Sequence, residues 1–266
     1  MTACIVIDHP YRSSSSDAVS PALGAHRLTH RSSVTRVMYR AYQTVFTLLA
    51  AAALVACATT DSGSPPGSSA EPDKLVADAQ KTFDNFLRDP DQTWVQQNLG
   101  NARALLIAPQ IVKAGFIFGG SGGRAVLVAR DGRTWVGPAF YDLATASVGF
   151  QAGVEVSEAV ILVMTEKGLN SLMASSFKMG GDASIAAGPV GAGAKSTVTA
   201  DLVSFTRSKG VYGGVNLDGT VVHANTKWND AYYSGSNVLP PDIVMRKTAK
   251  SSKASQLLAE VANATK

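Results

Sequence analysis

Cysteine is nearly absent from this 266-residue chain: Cys4 and Cys57 are the only two. Beyond residue 57 there is none, which excludes a disulfide framework and thiol chemistry from most of the chain. Histidine is as scarce there. After residue 56 only His223 remains, so a multi-histidine metal site within one chain is excluded. Charge of one sign is missing too. The whole carries +4, but residues 1–56 hold Arg12, Arg27, Arg31, Arg36 and Arg40 against Asp8 and Asp17, leaving 19 basic and 18 acidic side chains in the other 210 residues. A body so close to neutral is a poor candidate for broad nucleic-acid binding. Long apolar runs are limited to one, Thr44–Ala56, whose 13 residues fall short of the roughly 20 needed to cross a bilayer. Charged residues are few at 17%, but 45% hydrophobic residues supply a packed core and exclude wholesale disorder. Glycine is abundant, 24 residues without a G-X-Y period, which excludes collagen and points to tight turns and closely approaching strands.

The apolar run fits the h-region of a secretory signal, with Met38-Tyr39-Arg40 as a short positive segment before it. Met38 is a candidate true start; residues 1–37, with Ser13–Ser16 and scattered Arg, would then be an upstream leader, the alternative being a disordered N-terminus. The run ends Leu54-Val55-Ala56-Cys57, which resembles the bacterial lipoprotein signal, in which such a cysteine takes a diacylglyceryl group and becomes the mature N-terminus. An ordinary cleaved signal is the alternative. Ala58–Glu71 is rich in Ser, Gly and Pro and has no means of packing, as a tether requires. The expected organisation is a leader and signal over 1–56, a tether over 57–71 and one domain over 72–266. The residue after Cys57 is Ala rather than Asp, so the resemblance implies no inner-membrane retention. Lipid anchoring in a bacterial envelope, on the periplasmic face of the outer membrane, is expected.

Within the body, Leu75, Val76, Ala79, Phe83, Phe86 and Leu87 lie at helical spacing after Pro72, and Asp89-Pro90 stops that helix. A second helix is expected from Asp91 to Ala108, with Trp94, Val95, Leu99, Ala102, Leu105 and Leu106 on its apolar face. From Ile111 the pattern turns to period two. Strands are expected at Lys113–Phe118, Ala125–Arg130, Thr134–Phe140, Thr145–Val156, Ala159–Met164, Ala183–Ala187, Ala192–Thr206, Gly210–Val215 and Thr220–Ala224. Asp131-Gly132 and Asp218-Gly219 read as hairpin turns. Thr165 caps a short helix to Met173, Asn229–Tyr233 reads as a helical turn, and Asp242–Asn263 as a C-terminal helix. The fold class is α+β: N-terminal helices packed on a strongly curved, barrel-like, Gly-rich, mainly antiparallel sheet, followed by a C-terminal helix.

Several blocks carry a resemblance. Lys113–Phe118 with its following glycines, Ala125–Arg130 with Gly132-x-x-Trp135, Gly149–Glu155, Ala186–Gly191 and Phe205–Val215 resemble the SYLF domain, as do Asn225 and Tyr232-Tyr233 in its closing segment. The resemblance spans roughly Leu75–Val238. It implies phospholipid binding, phosphoinositides in the eukaryotic members, with an amphipathic N-terminal helix aiding membrane contact. Actin binding belongs to some eukaryotic members; a periplasmic protein would meet no actin, and that property is not carried over.

Two chemistries are imitated by letter. Gly119-Gly120-Ser121-Gly122-Gly123 matches a nucleophile elbow and Gly120-x-Gly122-x-x-Ala125 a dinucleotide fingerprint, but both motifs need a helix to follow and a strand follows here. A Gly-rich hairpin loop is the expected structure, its N–H groups able to face a phosphate near Ser121 and Arg124. Glu155 and Glu158 read as a solvated edge rather than an acid/base pair. The Phe83/Phe86/Leu87 stripe reads as core, with a membrane-facing helix as its functional alternative. No catalytic residue, metal or cofactor is expected. The expected function is a membrane-anchored, non-enzymatic module acylated at Cys57 that binds anionic headgroups through Lys113, Arg124, Arg130 and Arg133 around the first hairpin and Arg246, Lys247, Lys250 and Lys253 near the C-terminus. A periplasmic scaffold binding an envelope protein or peptidoglycan is the alternative, and a hydrolase at Ser121 the minor one.

Overall fold

A computed structural model describes residues 69–115, 118–148, 153–191, 198–208, 211–212 and 217–266. The chain divides into a unit of residues Met1–Gly63 and a unit of Ser64–Lys266. All described residues lie in the second unit, which contains both of its own apolar clusters. Cys57 and the tether up to residue 68 lie outside the described residues.

The second unit opens with helix α1 (Ala70–Arg88). Val76, Ala79, Phe83 and Phe86 recur every three or four residues and are buried. Phe83 and Phe86 are wholly enclosed, so the aromatic stripe is core rather than a membrane-facing surface. The Asp89 side chain caps the turn that follows, and α2 (Thr93–Asn98) is short. The expected long second helix is corrected here: Ala104–Gly115 is strand β1. Ala104 to Ala108 are all buried, Ala104, Leu106 and Ala108 on one face and Leu105 and Ile107 on the other. A run apolar on both faces fits a central strand as well as a buried helix, and periodicity alone does not separate them. Pro109 is accommodated because a β-bulge sits there, shifting the register with both neighbours.

Strands β2 (Phe118–Asp131), β3 (Thr134–Val148) and β4 (Gly153–Val163) continue the sheet. The Gly119–Gly123 segment is therefore no loop: it lies within β2, hydrogen-bonded between β1 and β3. Gly123 is needed there because a Cβ would come within 2.5 Å of the Gln110 carbonyl oxygen at the bulge. Likewise 145–156 is not one strand, since β3 ends at Val148 and β4 begins at Gly153. Helix α3 (Glu166–Leu172) starts on the Thr165 cap as its sequence requires. Then follow β5 (Ser176–Lys178), β6 (Ile185–Ala187), β7 (Leu202–Ser208), β8 (Val211–Tyr212), β9 (Val221–Ala224) and α4 (Thr226–Tyr233). The C-terminal helix is broken into α5 (Pro240–Val244) and α6 (Ser255–Ala264). Lys247, at positive φ, lies in the intervening segment.

The nine described strands form one sheet, in the order β5-β9-β3-β2-β1-β4-β7-β6 with β8 paired to β7. All pairs are antiparallel except β6 with β7. Turn Asp131–Gly132 joins β2 to β3 as expected, whereas β9 pairs with β3 and β5 rather than with the strand before it. Curvature follows from chain length. A flat row of eight strands would hold its two edges about 34 Å apart. Those edges, β5 and β6, are joined by Met179–Ser184, which spans at most about 25 Å between Lys178 and Ile185. Met179 also bridges Ala183. The sheet must curl into a half-barrel. Inside lie Leu106, Leu127, Tyr141, Ile161 and Leu172. Outside, α1, α2, α4 and α6 cover Leu105, Ile107, Val126, Phe140 and Val160. Gly188 lets β6 close against this layer, since any Cβ there would overlap the Phe205 ring.

Candidate functional site

Where the helical cover ends, a cleft of about 510 Å³ opens between α1, the β1 bulge, β2, β3 and α4. Its walls include Leu75, Val112, Leu143 and Trp228, and its charged groups are Glu71, Lys74, Asp78, Arg124 and Asp142. Each element contributes for a local reason. Arg124 and Asp142 are cross-strand partners on β2 and β3, and their side chains approach to 3.7 Å (Arg124 Nε to Asp142). Asn225 caps α4, its Oδ1 accepting the Trp228 N–H at 3.0 Å, while its Nδ2 donates to Asp142 at 3.0 Å. Trp228, fixed by that cap, lies under the Arg124 guanidinium, with Cζ 4.4 Å from the ring centroid. Asn229 Oδ1 accepts the Phe140 N–H and docks the helix on β3. Lys74 is drawn to Asp78 on its own helix. The arrangement holds one guanidinium, stacked and half-exposed, at the mouth of a cleft with mixed charge.

Of the eight basic residues singled out in sequence, Arg124 alone lines this cleft. The first-hairpin group is dispersed. Lys113 is a register partner of Ser121 and Glu155, on the opposite face of the sheet from Arg124. Arg130 lies six residues farther along β2, about 20 Å away, its guanidinium 5.2 Å from the Trp135 ring. Arg133 sits in the β2–β3 turn itself. The C-terminal group is largely engaged: Arg246 donates to Asp242, Lys247 to Asp131 and Lys253 to Asp73, while Lys250 is exposed. These bonds fasten the segment between α5 and α6 to a strand turn and to α1. Trp228 and Asp142 were missed by motif reading. The Asn225-x-x-Trp228 spacing of a helix cap was the available signal.

The elbow reading fails on geometry. Ser121 faces Thr145 across β2 and β3, while His223 faces Asp142 on the far side of β3 and on the other face of the sheet. Glu155 and Glu158 point to opposite faces; Glu158 accepts from Thr82 and pairs with Arg207. Among the described residues, no three His, Cys, Asp or Glu side chains gather in metal-binding fashion. No described helix is long and apolar enough to cross a membrane.

The strongest polar network lies elsewhere. Asp201 accepts from Thr165 Oγ1 at 2.6 Å and from Ser184 N and Oγ at 2.9 and 2.8 Å, with Lys167 nearby. These bonds, the Thr165 hydroxyl foremost, hold its carboxyl far below the usual range. They tie α3 and β6 to β7, a structural role.

Fold and cleft define a curled-sheet α+β module with outer helices. Residues 144–264 match the Ysc84, or SYLF, family, described as "Las17-binding protein actin regulator". An SH3 domain-containing protein of Schizosaccharomyces pombe is 34% identical over 171 residues, 59% of this chain and 39% of that protein. LAS seventeen-binding protein 3 of Saccharomyces cerevisiae is 32% identical over 152 residues, 54% of this chain and 33% of its own. SH3 domain-containing YSC84-like protein 1 of Homo sapiens is 27% identical over 175 residues, 63% and 50%. This chain thus spans between a third and a half of these relatives. They bear the names of binding and regulatory proteins rather than enzymes.

Proposed function

We propose that this chain is a membrane-anchored lipid-binding lipoprotein of a bacterial envelope, held through an acylated Cys57 on the periplasmic face of the outer membrane. It acts by binding, not catalysis. The observation that carries this reading is the position of Arg124. It stands at the mouth of the cleft walled by the first turns of α1, the segment that follows the tether. A guanidinium backed by an indole is a good partner for a phosphate. Three carboxylates against two cations make the cleft a poor host for a polyphosphorylated inositol. They favour a zwitterionic headgroup, its phosphate at Arg124 and its amine toward Asp142 or Glu71.

The second unit has a self-contained core, so a chain starting at Ala58 is suitable for test. It should float with vesicles containing phosphatidylethanolamine, and Arg124→Ala should weaken flotation several-fold. Failure of the unaltered chain to bind any vesicle would sink headgroup recognition. Intact-mass measurement of membrane-extracted protein tests the anchor separately, the expected species beginning at a diacylglyceryl-modified Cys57.

A further inference from the structure

Beyond the cleft, β4, β1, β2 and β3 extend past the helical cover as a four-stranded sheet. Alternation assigns its two faces. The face continuous with the barrel interior carries Glu155, Lys113, Ser121 and Thr145. Among the residues whose side chains are described, the outer face carries only Val154 and Val156, Val112 and Ala114, Gly120 and Gly122, Ala144 and Ala146. No charged or hydrogen-bonding side chain interrupts it. Val154 is 66% exposed, Val156 44% and Val112 39%, half of the large hydrophobics most exposed among the described residues. Val112 and Val156 are register partners, so the three form one patch. The glycines leave bare backbone exposed between the valines.

We infer that this apolar outer face is the surface on which the domain rests against a phospholipid bilayer. The inference rests on the membrane-anchored reading above and names its contact surface. Two observations select a bilayer over a second copy of the chain. The face measures on the order of 250 Å² from strand spacing and rise, well short of the roughly 800 Å² per partner of a stable protein interface. A small apolar patch suffices for a bilayer when the chain is already anchored, because the second contact is then intramolecular. The chain also enters the fold beside this patch, since Glu71, Lys74 and Leu75 of α1 share a cleft with Val112 and Gly122. Only twelve residues, 58–69, separate Cys57 from α1. A chain of that length reaches about 40 Å at most, and about 20 Å on average when flexible.

The test uses the chain from Ala58, which contains no cysteine. Val154→Cys, labelled with an environment-sensitive dye, should shift to the blue on vesicles of phosphatidylethanolamine and phosphatidylglycerol. The same dye at Lys250→Cys should not. The pair Val154→Glu and Val156→Glu, at positions too exposed to affect the core, should lower partition at least tenfold with an unchanged thermal melt. Gly122→Leu should raise partition, since a Cβ at 122 meets nothing nearer than the Leu143 carbonyl oxygen at 3.7 Å. Partition retained by the double glutamate variant, with no shift at position 154, would overturn this surface and leave headgroup binding standing. A dimer in sedimentation that the glutamates dissolve would overturn it too. No partition by the unaltered chain would overturn both readings.

Discussion

Asn225 holds Asp142 and Trp228 at once: one amide donates to the carboxylate and accepts the backbone N–H, each at 3.0 Å. Strand β3 and helix α4 therefore share one side chain, and the Arg124 site depends on it. Asn225→Ala should cost about 1–2 kcal/mol in chemical denaturation, as loss of a cap and one further bond. Asn225→Ser should recover the cap portion only.

Asp201 gives a pH signature. Its folded pKa lies below its ordinary value of 3.8, so its stabilisation is complete above that value and fades as pH falls through the folded one. Asp201→Asn should lose about 1–3 kcal/mol at pH 7. Denaturation curves of the two proteins should converge on acidification; a gap that stays constant to low pH would assign the loss to packing instead.

Glu260 behaves in the opposite sense. Burial raises its pKa, with Asp84 adding to the rise, while Gln80 donates to it at 2.9 Å. The charged form is penalised in the fold, fully above the raised pKa and not at all below the ordinary value of 4.5. Glu260→Gln keeps an acceptor for Gln80. It should raise the melting temperature at pH 7, and that advantage should vanish by pH 4.

Gly188 and Gly122 separate two uses of glycine. Gly188→Ala drives a methyl into the Phe205 ring and should cost about 1–3 kcal/mol or more by thermal melting. Gly122→Ala has room and should melt within about 0.5 kcal/mol of the unaltered protein.

Much of the fold was legible where one physical signal acted alone. Helix α1 was fixed by its apolar spacing and by Asp89-Pro90, and α3 by its Thr165 cap. Asp131-Gly132 marked a true hairpin because its glycine sits at positive φ between paired strands. Errors arose where two signals competed. Ala104–Ala108 satisfied helix and buried strand alike, and burial on both faces decided it. Gly119–Gly123 reads as a loop by composition, yet the neighbouring strands exploit its lack of side chains to pack closely. The basic residues were grouped by sequence proximity, but strand alternation sends Lys113 and Arg124 to opposite faces. Carboxylates from distant segments, Asp131 and Asp73, engage Lys247 and Lys253. Such long-range pairings leave no local trace.

The six residues from Met179 to Ser184 limit how far the two edges of the half-barrel can part. Added length at that strap would loosen the girth on which Phe205, Gly188 and the inner layer all depend, while added length at the Asp131–Gly132 tip would leave it untouched.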